Sequence, residues 1–214
     1  MNGFYPVNIR FTDKKIVIIG GGKMAERKIR SFQHSGANLE IVSPTLTETL
    51  HKLLLDSVFI WKQKYFSKED IEGAFMVIAA TNEPRINQAV KEHASANQLV
   101  CLLDNQDLSD VQFPAIVRRG KLIIATSTSG ASPALSKKIT EKLAADFDER
   151  YASYLDFLHV ARCVILKQVN NPQLKKELLT EIVHDTFLHS NQRWEDFKKL
   201  LIGRNIELTI KEAE

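Results

Sequence analysis

The sequence predicts an α/β protein: an N-terminal Rossmann-type, doubly wound parallel sheet, then a small α+β segment, then an all-helical C-terminal region. Three observations carry this. Short aliphatic runs alternate with helical patterns up to Leu103, a glycine-rich turn follows the first run, and strand-like segments end at Ala125. Adjacent parallel strands need crossover helices, so such alternation points to a doubly wound sheet.

Ile16-Val17-Ile18-Ile19 is a continuous apolar run ended by Gly20-Gly21-Gly22, the pattern of a buried parallel strand. Met24, Ala25, Ile29 and Phe32 then recur at helical spacing, Glu26 and Arg30 form an i,i+4 pair, and Gly36 supplies a stop. Leu39–Val42 is a second strand, broken at Ser43-Pro44. Leu46, Leu50, Leu53 and Leu54 form a short amphipathic helix before a strand over Val58–Trp61. A polar connection through Asp70 and Gly73 leads to the strand Phe75–Ala80. A helix runs from Glu83 or Pro84 to about Ala96, its first turn tolerating proline. Leu99–Leu103 is the fifth strand, with Asp104 at its carboxyl end.

Ala115–Val117 and Leu122–Ala125 flank the basic turn Arg118-Arg119-Gly120 as a β-hairpin. A helix starts at Pro133 and runs to about Tyr151, and helices continue to about Leu201. The aromatics Tyr151, Tyr154, Phe157 and Trp194 fit a helical core. The expected domains are residues 1–113, 114–150 and 151–214.

With 214 residues, 44% hydrophobic and 26% charged, the chain can bury a core and is not a disordered tail. No run approaches the ~20 apolar residues of a membrane span, and the segment from Met1 to Pro6 lacks a secretory signal. Two cysteines, Cys101 and Cys163, both in apolar surroundings, support neither a disulfide framework nor a zinc cluster, so a cytoplasmic location is expected. The six histidines show no ligand spacing, and no metal site is assigned. Residues 1–113 carry 13 basic and 13 acidic side chains, residues 114–214 carry 16 and 13, and the net charge is +3. That excess is too small for nucleic acid but could suit an anionic small molecule; a solvated surface explains it equally well.

Gly20-Gly21-Gly22-Lys23-Met24-Ala25 has the form G-x-G-x-x-A. Gly20 permits the tight strand-to-helix turn, Gly22 lets the backbone approach a pyrophosphate, and Ala25 allows close packing. The helix N-terminus faces the phosphates. No carboxylate stands where the ribose would need one; Glu40 comes too early, so Ser43, Thr45 or the nearby backbone takes its place. No arginine stands there for a 2′-phosphate, which favours NAD. Thr81 and Asn82, at the end of the fourth strand, border the switch point and the nicotinamide end, although either could instead cap the next helix. Asp104, on the same sheet edge, could take the proton released on oxidation. The loop Thr126–Ser132 before Pro133 could bind substrate carboxylates or simply cap its helix.

These blocks together resemble the precorrin-2 dehydrogenases of the siroheme-synthase N-terminal type. The resemblance runs from about Phe4 to Leu143. It is carried by Tyr5-Pro6-Val7, Ile19–Lys28, Val42-Ser43-Pro44, Ala79-Ala80-Thr81-Asn82 with Asn87, Leu103-Asp104, Phe113-Pro114, Leu122–Ala125 and Ser127–Pro133. It implies a stand-alone form, without the methyltransferase domain of the fused enzymes. It further implies NAD-dependent oxidation of precorrin-2, an anionic tetrapyrrole, to sirohydrochlorin for siroheme or cobalamin, by a homodimer that pairs through 114–150. Asp104 corresponds to the catalytic aspartate. Gly22, Lys23, Met24, Ser43, Pro44 and Thr45 correspond to cofactor contacts, and Ser127 or Thr128 to a hydroxylated position near the active site. Together with Gly20, Thr81 and Asn82 for the cofactor, and Ser129, Arg118 and Arg119 for the substrate, these form the expected site. Some relatives also insert Fe²⁺. A chelatase and a non-catalytic NAD-sensing module are the rival readings.

Overall fold

A computed structural model of the chain describes residues 3–206. They form two compact units, the first ending at Phe113 and the second beginning at Pro114. Met1 and Asn2 of the N-terminal segment, and residues 207–214 of the expected helical domain, lie outside the described residues.

The first unit contains β1 (Lys15–Ile19), α1 (Lys23–Phe32), β2 (Asn38–Val42), α2 (Glu48–Leu55), β3 (Ile60–Lys62), β4 (Met76–Ala79), α3 (Pro84–His93) and β5 (Leu99–Leu102). All five strands are parallel, in the order β3-β2-β1-β4-β5. The central run is apolar throughout because both faces are covered. Ile16 and Ile18 pack with Ile29, Ile41 and Leu50 on one side. Val17 and Ile19 pack with Val77, Val90 and Val100 on the other. Val42, Ile19, Ala79 and Leu102 pair in one row across the sheet. The turns that follow them therefore leave along a single carboxyl edge, and the strand order reverses between β1 and β4.

The first unit departs from expectation in several places. β3 begins two residues late, because α2 ends in a Schellman motif built on Ser57 at φ 55°. The Ser57 amide donates to Leu54 O (2.9 Å) and the Val58 amide to Leu53 O (3.2 Å), so Val58 closes the helix. α3 stops at His93 instead of Ala96, and Gln98 Oε1 accepts the Ser95 amide at 2.8 Å. The polar connection contains a 3-10 turn, Lys68–Ile71, closed by a Ser67–Asp70 capping box. Burial opposes the charge on Asp70, but the Ser67 amide and hydroxyl and the Lys64 ammonium outweigh it and hold the carboxyl below its ordinary range.

The second unit starts with the antiparallel hairpin β6 (Ala115–Arg119) and β7 (Leu122–Thr126), followed by α4 (Pro133–Asp146). Then come α5 (Arg150–Gln168), α6 (Pro172–Glu181), α7 (Asp185–His189) and α8 (Arg193–Ile202). α4 stops before Tyr151 because Asp148 starts a new helix, its Oδ1 accepting the Arg150 amide and Nε at 3.0 Å. The tail aromatics do form a core. Phe157 meets Trp194, Phe187 and Phe197 at centroid distances of 5.0, 5.6 and 5.9 Å. Cys101 is buried as expected, but Cys163 is exposed on α5. Among the described residues no helix is long and apolar enough to cross a membrane.

Candidate active site

At the carboxyl edge, the turns after β1, β2, β3 and β4 enclose a cleft of about 610 Å³. Its lining includes Gly20, Gly22, Lys23, Met24, Ser43, Pro44, Thr45, Thr81 and Asn82, so the structure gathers all the residues expected at the cofactor.

The three glycines do different things. Gly20 has φ +115°, and a Cβ there would lie 2.6 Å from Ala80 O. At Gly21 a Cβ would stand 2.0 Å from Thr45 O. The turn after β2 is thus pressed against this glycine, and Thr47 donates its amide to Gly21 O at 3.0 Å. A Cβ on Gly22 would meet nothing within 4 Å. Gly22 is the N-cap of α1 and offers no side-chain cap. The first helical bond runs from Glu26 N to Gly22 O (3.0 Å), leaving the amides of Lys23, Met24 and Ala25 without helical acceptors. Open space beside free amides at a helix N-terminus fits a pyrophosphate.

In the turn after β2, Ser43 Oγ donates to Thr45 O (2.7 Å) and Trp61 Nε1 donates to Ser43 O (2.9 Å). The Ser43 hydroxyl proton is therefore spent on the turn, which leaves Thr45 to offer a hydroxyl there. Glu40 lies between Lys62 (2.9 Å) and Lys15 (3.5 Å), an ion-pair cluster on the sheet that keeps it from any ribose.

After β4, Thr81 Oγ1 donates to Asn87 Oδ1 (2.7 Å), and Asn87 Nδ2 donates back to Thr81 O (3.1 Å). Buried Asn87 on α3 thus sets this turn. The Thr81 hydroxyl also accepts the Glu83 amide at 3.1 Å. The N-cap of α3 is Glu83, with no side-chain cap. Capping therefore does not account for Asn82, whose exposed side chain has no hydrogen-bond partner among the described residues.

Asp104 stands two residues beyond β5 on the same edge, exposed and outside the lining of the cleft. Its carboxylate has no hydrogen bond or ion pair among the described residues. Cys101, three residues before Asp104 in β5, is buried, and burial pushes its thiol up to about 11. The Lys28 ammonium, lowered by burial, sits over the Phe113 ring at 3.5 Å from its centroid. The cleft lining also includes Leu46, Thr47, Tyr65, Phe66, Glu83 and Ile86, which the sequence did not single out for it. The signal for the two aromatics was their place just after β3 on the common edge.

The substrate residues expected in the second unit are partly corrected. Arg118 and Arg119 point to opposite faces of β6. Arg119 is committed inward, with Nε 3.2 Å from Glu149 Oε1 and its terminal nitrogens donating to Arg118 O and Ala144 O. All three guanidinium nitrogens of Arg119 thus have a neighbour in their own unit, whereas Arg118 is exposed. Thr128 is spent in its loop, accepting from the Ser132 amide (3.0 Å) and donating to Ser132 O (3.0 Å). Ser132 caps α4 by accepting the Leu135 amide at 3.2 Å. Ser127 is exposed and accepts the Ser129 amide at 3.1 Å, while Ser129 itself has φ 50°.

A glycine turn opening a helix at the switch point of a doubly wound sheet, with an open cleft above it, defines a dinucleotide-binding α/β protein. A family model described as putative NAD(P)-binding matches residues 7–115, and one for the SirC C-terminal domain matches residues 151–197. The precorrin-2 dehydrogenase of Priestia megaterium is 34% identical over 193 residues, covering 90% of this chain and 96% of the relative. That of Bacillus subtilis is 32% identical, covering 73% and 97%. A solved structure described as SirC, precorrin-2 dehydrogenase, superposes with a TM-score of 0.81 at 32% identity, covering 94% of this chain and 100% of the other. The chain belongs to the precorrin-2 dehydrogenase family.

Proposed function

We propose that the protein oxidises precorrin-2 to sirohydrochlorin with NAD⁺, in siroheme synthesis. The observation that carries this reading is the cleft at the β1/β4 switch point with an unpartnered carboxylate, Asp104, on the same sheet edge. Bound NAD⁺ supplies a hydride acceptor. Gly22 and the first amides of α1 hold the pyrophosphate. Pro44 and Thr45 border the adenosine half, and the turn set by Asn87 presents Thr81 and Asn82 to the nicotinamide half. The macrocycle loses two electrons and one hydrogen as hydride; Asp104 takes the accompanying proton. In the second unit, Arg118 and Ser127 are exposed groups of the kind that bind carboxylates, while Arg119 and Thr128 are held by partners of their own unit.

Under anaerobic conditions with precorrin-2 and NAD⁺, NADH absorbance is expected to rise in step with the sirohydrochlorin chromophore. NAD binding without turnover would instead make the protein a sensing module. The protein works in the cytoplasm as a homodimer that pairs through the 114–150 segment. Supporting this, the outer face of the hairpin exposes Ile116 (49%) and Ile123 (39%). Ile123→Glu is expected to shift the sedimenting species from dimer to monomer, and an unchanged dimer would place the interface elsewhere.

A further inference from the structure

We infer that Ser109 is a positioning residue for Asp104, acting through the turn that joins them. The inference rests on the reading of Asp104 as the proton acceptor. β5 is the last strand on its side of the sheet. Its outer amides and carbonyls therefore have no neighbouring strand and need other partners.

The returning chain supplies them through side chains. Leu102, the last residue of β5, donates its amide to Ser109 Oγ at 2.8 Å. That Oγ lies 3.0 Å from Asn105 O and donates to it, with Leu102 O at 3.2 Å as the alternative acceptor. One hydroxyl, on a residue only 8% exposed, thus ties the end of β5 to the residue immediately after Asp104. A second clip lies just beyond it. The Asp110 amide donates to Val100 O (2.8 Å), and Asp110 Oδ2 accepts the Val100 amide (3.1 Å). Lys91 on α3 holds the same carboxylate at 2.8 Å. Asp104 makes no hydrogen bond or ion pair among the described residues, so the path of this backbone sets where its side chain starts. Asn105 Oδ1 accepts the Asp107 amide (3.2 Å) within the turn, and Ser109 is the side chain that ties the turn back to β5. Removing its hydroxyl leaves the Leu102 amide without its acceptor and frees the carbonyl beside Asp104.

The test is a double-mutant cycle on the full chain. Ser109→Ala is expected to lower kcat roughly 10- to 100-fold, the scale of a small misplacement of a reacting group. KM and NAD affinity, the latter read by fluorescence titration, are expected to stay within about two-fold. Ser109→Cys, which keeps the shape and a weak donor, is expected to recover part of the loss. In an Asp104→Asn background, Ser109→Ala is expected to cost nothing more, because both act through one carboxylate. Multiplying losses would overturn the inference, as would an unchanged kcat in Ser109→Ala. So would parallel falls in NAD affinity and kcat. Should Asp104→Asn itself keep full turnover, the reading of Asp104 fails first, whatever Ser109 does.

Discussion

Replacing Asp104 by alanine is expected to lower kcat by roughly 10²- to 10⁴-fold, the usual contribution of a positioned acid or base. The affinity for NAD is expected to stay within a few-fold, because Asp104 lies outside the lining of the cofactor cleft. The protein is also expected to fold normally. The carboxylate is exposed and holds no hydrogen bond or ion pair among the described residues, so nothing in the first unit depends on it. Turnover within two-fold of the parent, measured as NADH formation, would remove the role of Asp104 as proton acceptor.

Gly22→Val and Gly21→Val are expected to fail in opposite ways. At Gly22 an added Cβ meets nothing within 4 Å and φ is ordinary, so the thermal midpoint is expected to stay close to that of the parent. The space it fills is where a pyrophosphate approaches the turn, and NAD affinity is expected to fall at least ~100-fold, on the order of 3 kcal/mol. At Gly21 the added carbon would sit 2.0 Å from the carbonyl of Thr45, a backbone atom that cannot swing aside. Gly21→Val is therefore expected to reduce soluble yield and the thermal midpoint, with cofactor loss only a consequence. Titration with NAD and thermal melting of both variants separate the two outcomes. A Gly22→Val protein that bound NAD normally would contradict the placement of the cofactor.

The α/β half was legible because its signals are local. Four aliphatic residues in a row, a glycine turn and an amphipathic helix are read from neighbours in sequence, and they place Gly20, Gly22, Lys23 and Met24 at one end of one strand. The end of α2 was not legible, because Ser57 takes the left-handed conformation usually marked by glycine. The break after α4 was equally silent: neither glycine nor proline stands between Asp146 and Arg150, and the Asp148 side chain accepts the Arg150 amide where the chain turns. The division of Arg118 from Arg119 follows from the alternation of a strand, and could have been drawn once β6 was recognised.

By itself, the sequence determined the fold class, the order of strands and helices along the first unit and the glycine turn that opens α1. Periodicity and glycine placement encode these without reference to distant residues. Tertiary structure decided which polar side chains remain available. Ser43, Glu40, Thr128 and Arg119 carry suitable chemistry, yet each is bound to a carbonyl, an amide or a charged group of its own unit. Asp104, Asn82 and Arg118 remain exposed. A hydrogen-bonding group can be spent only once, and which partner claims it depends on packing between residues far apart in the chain.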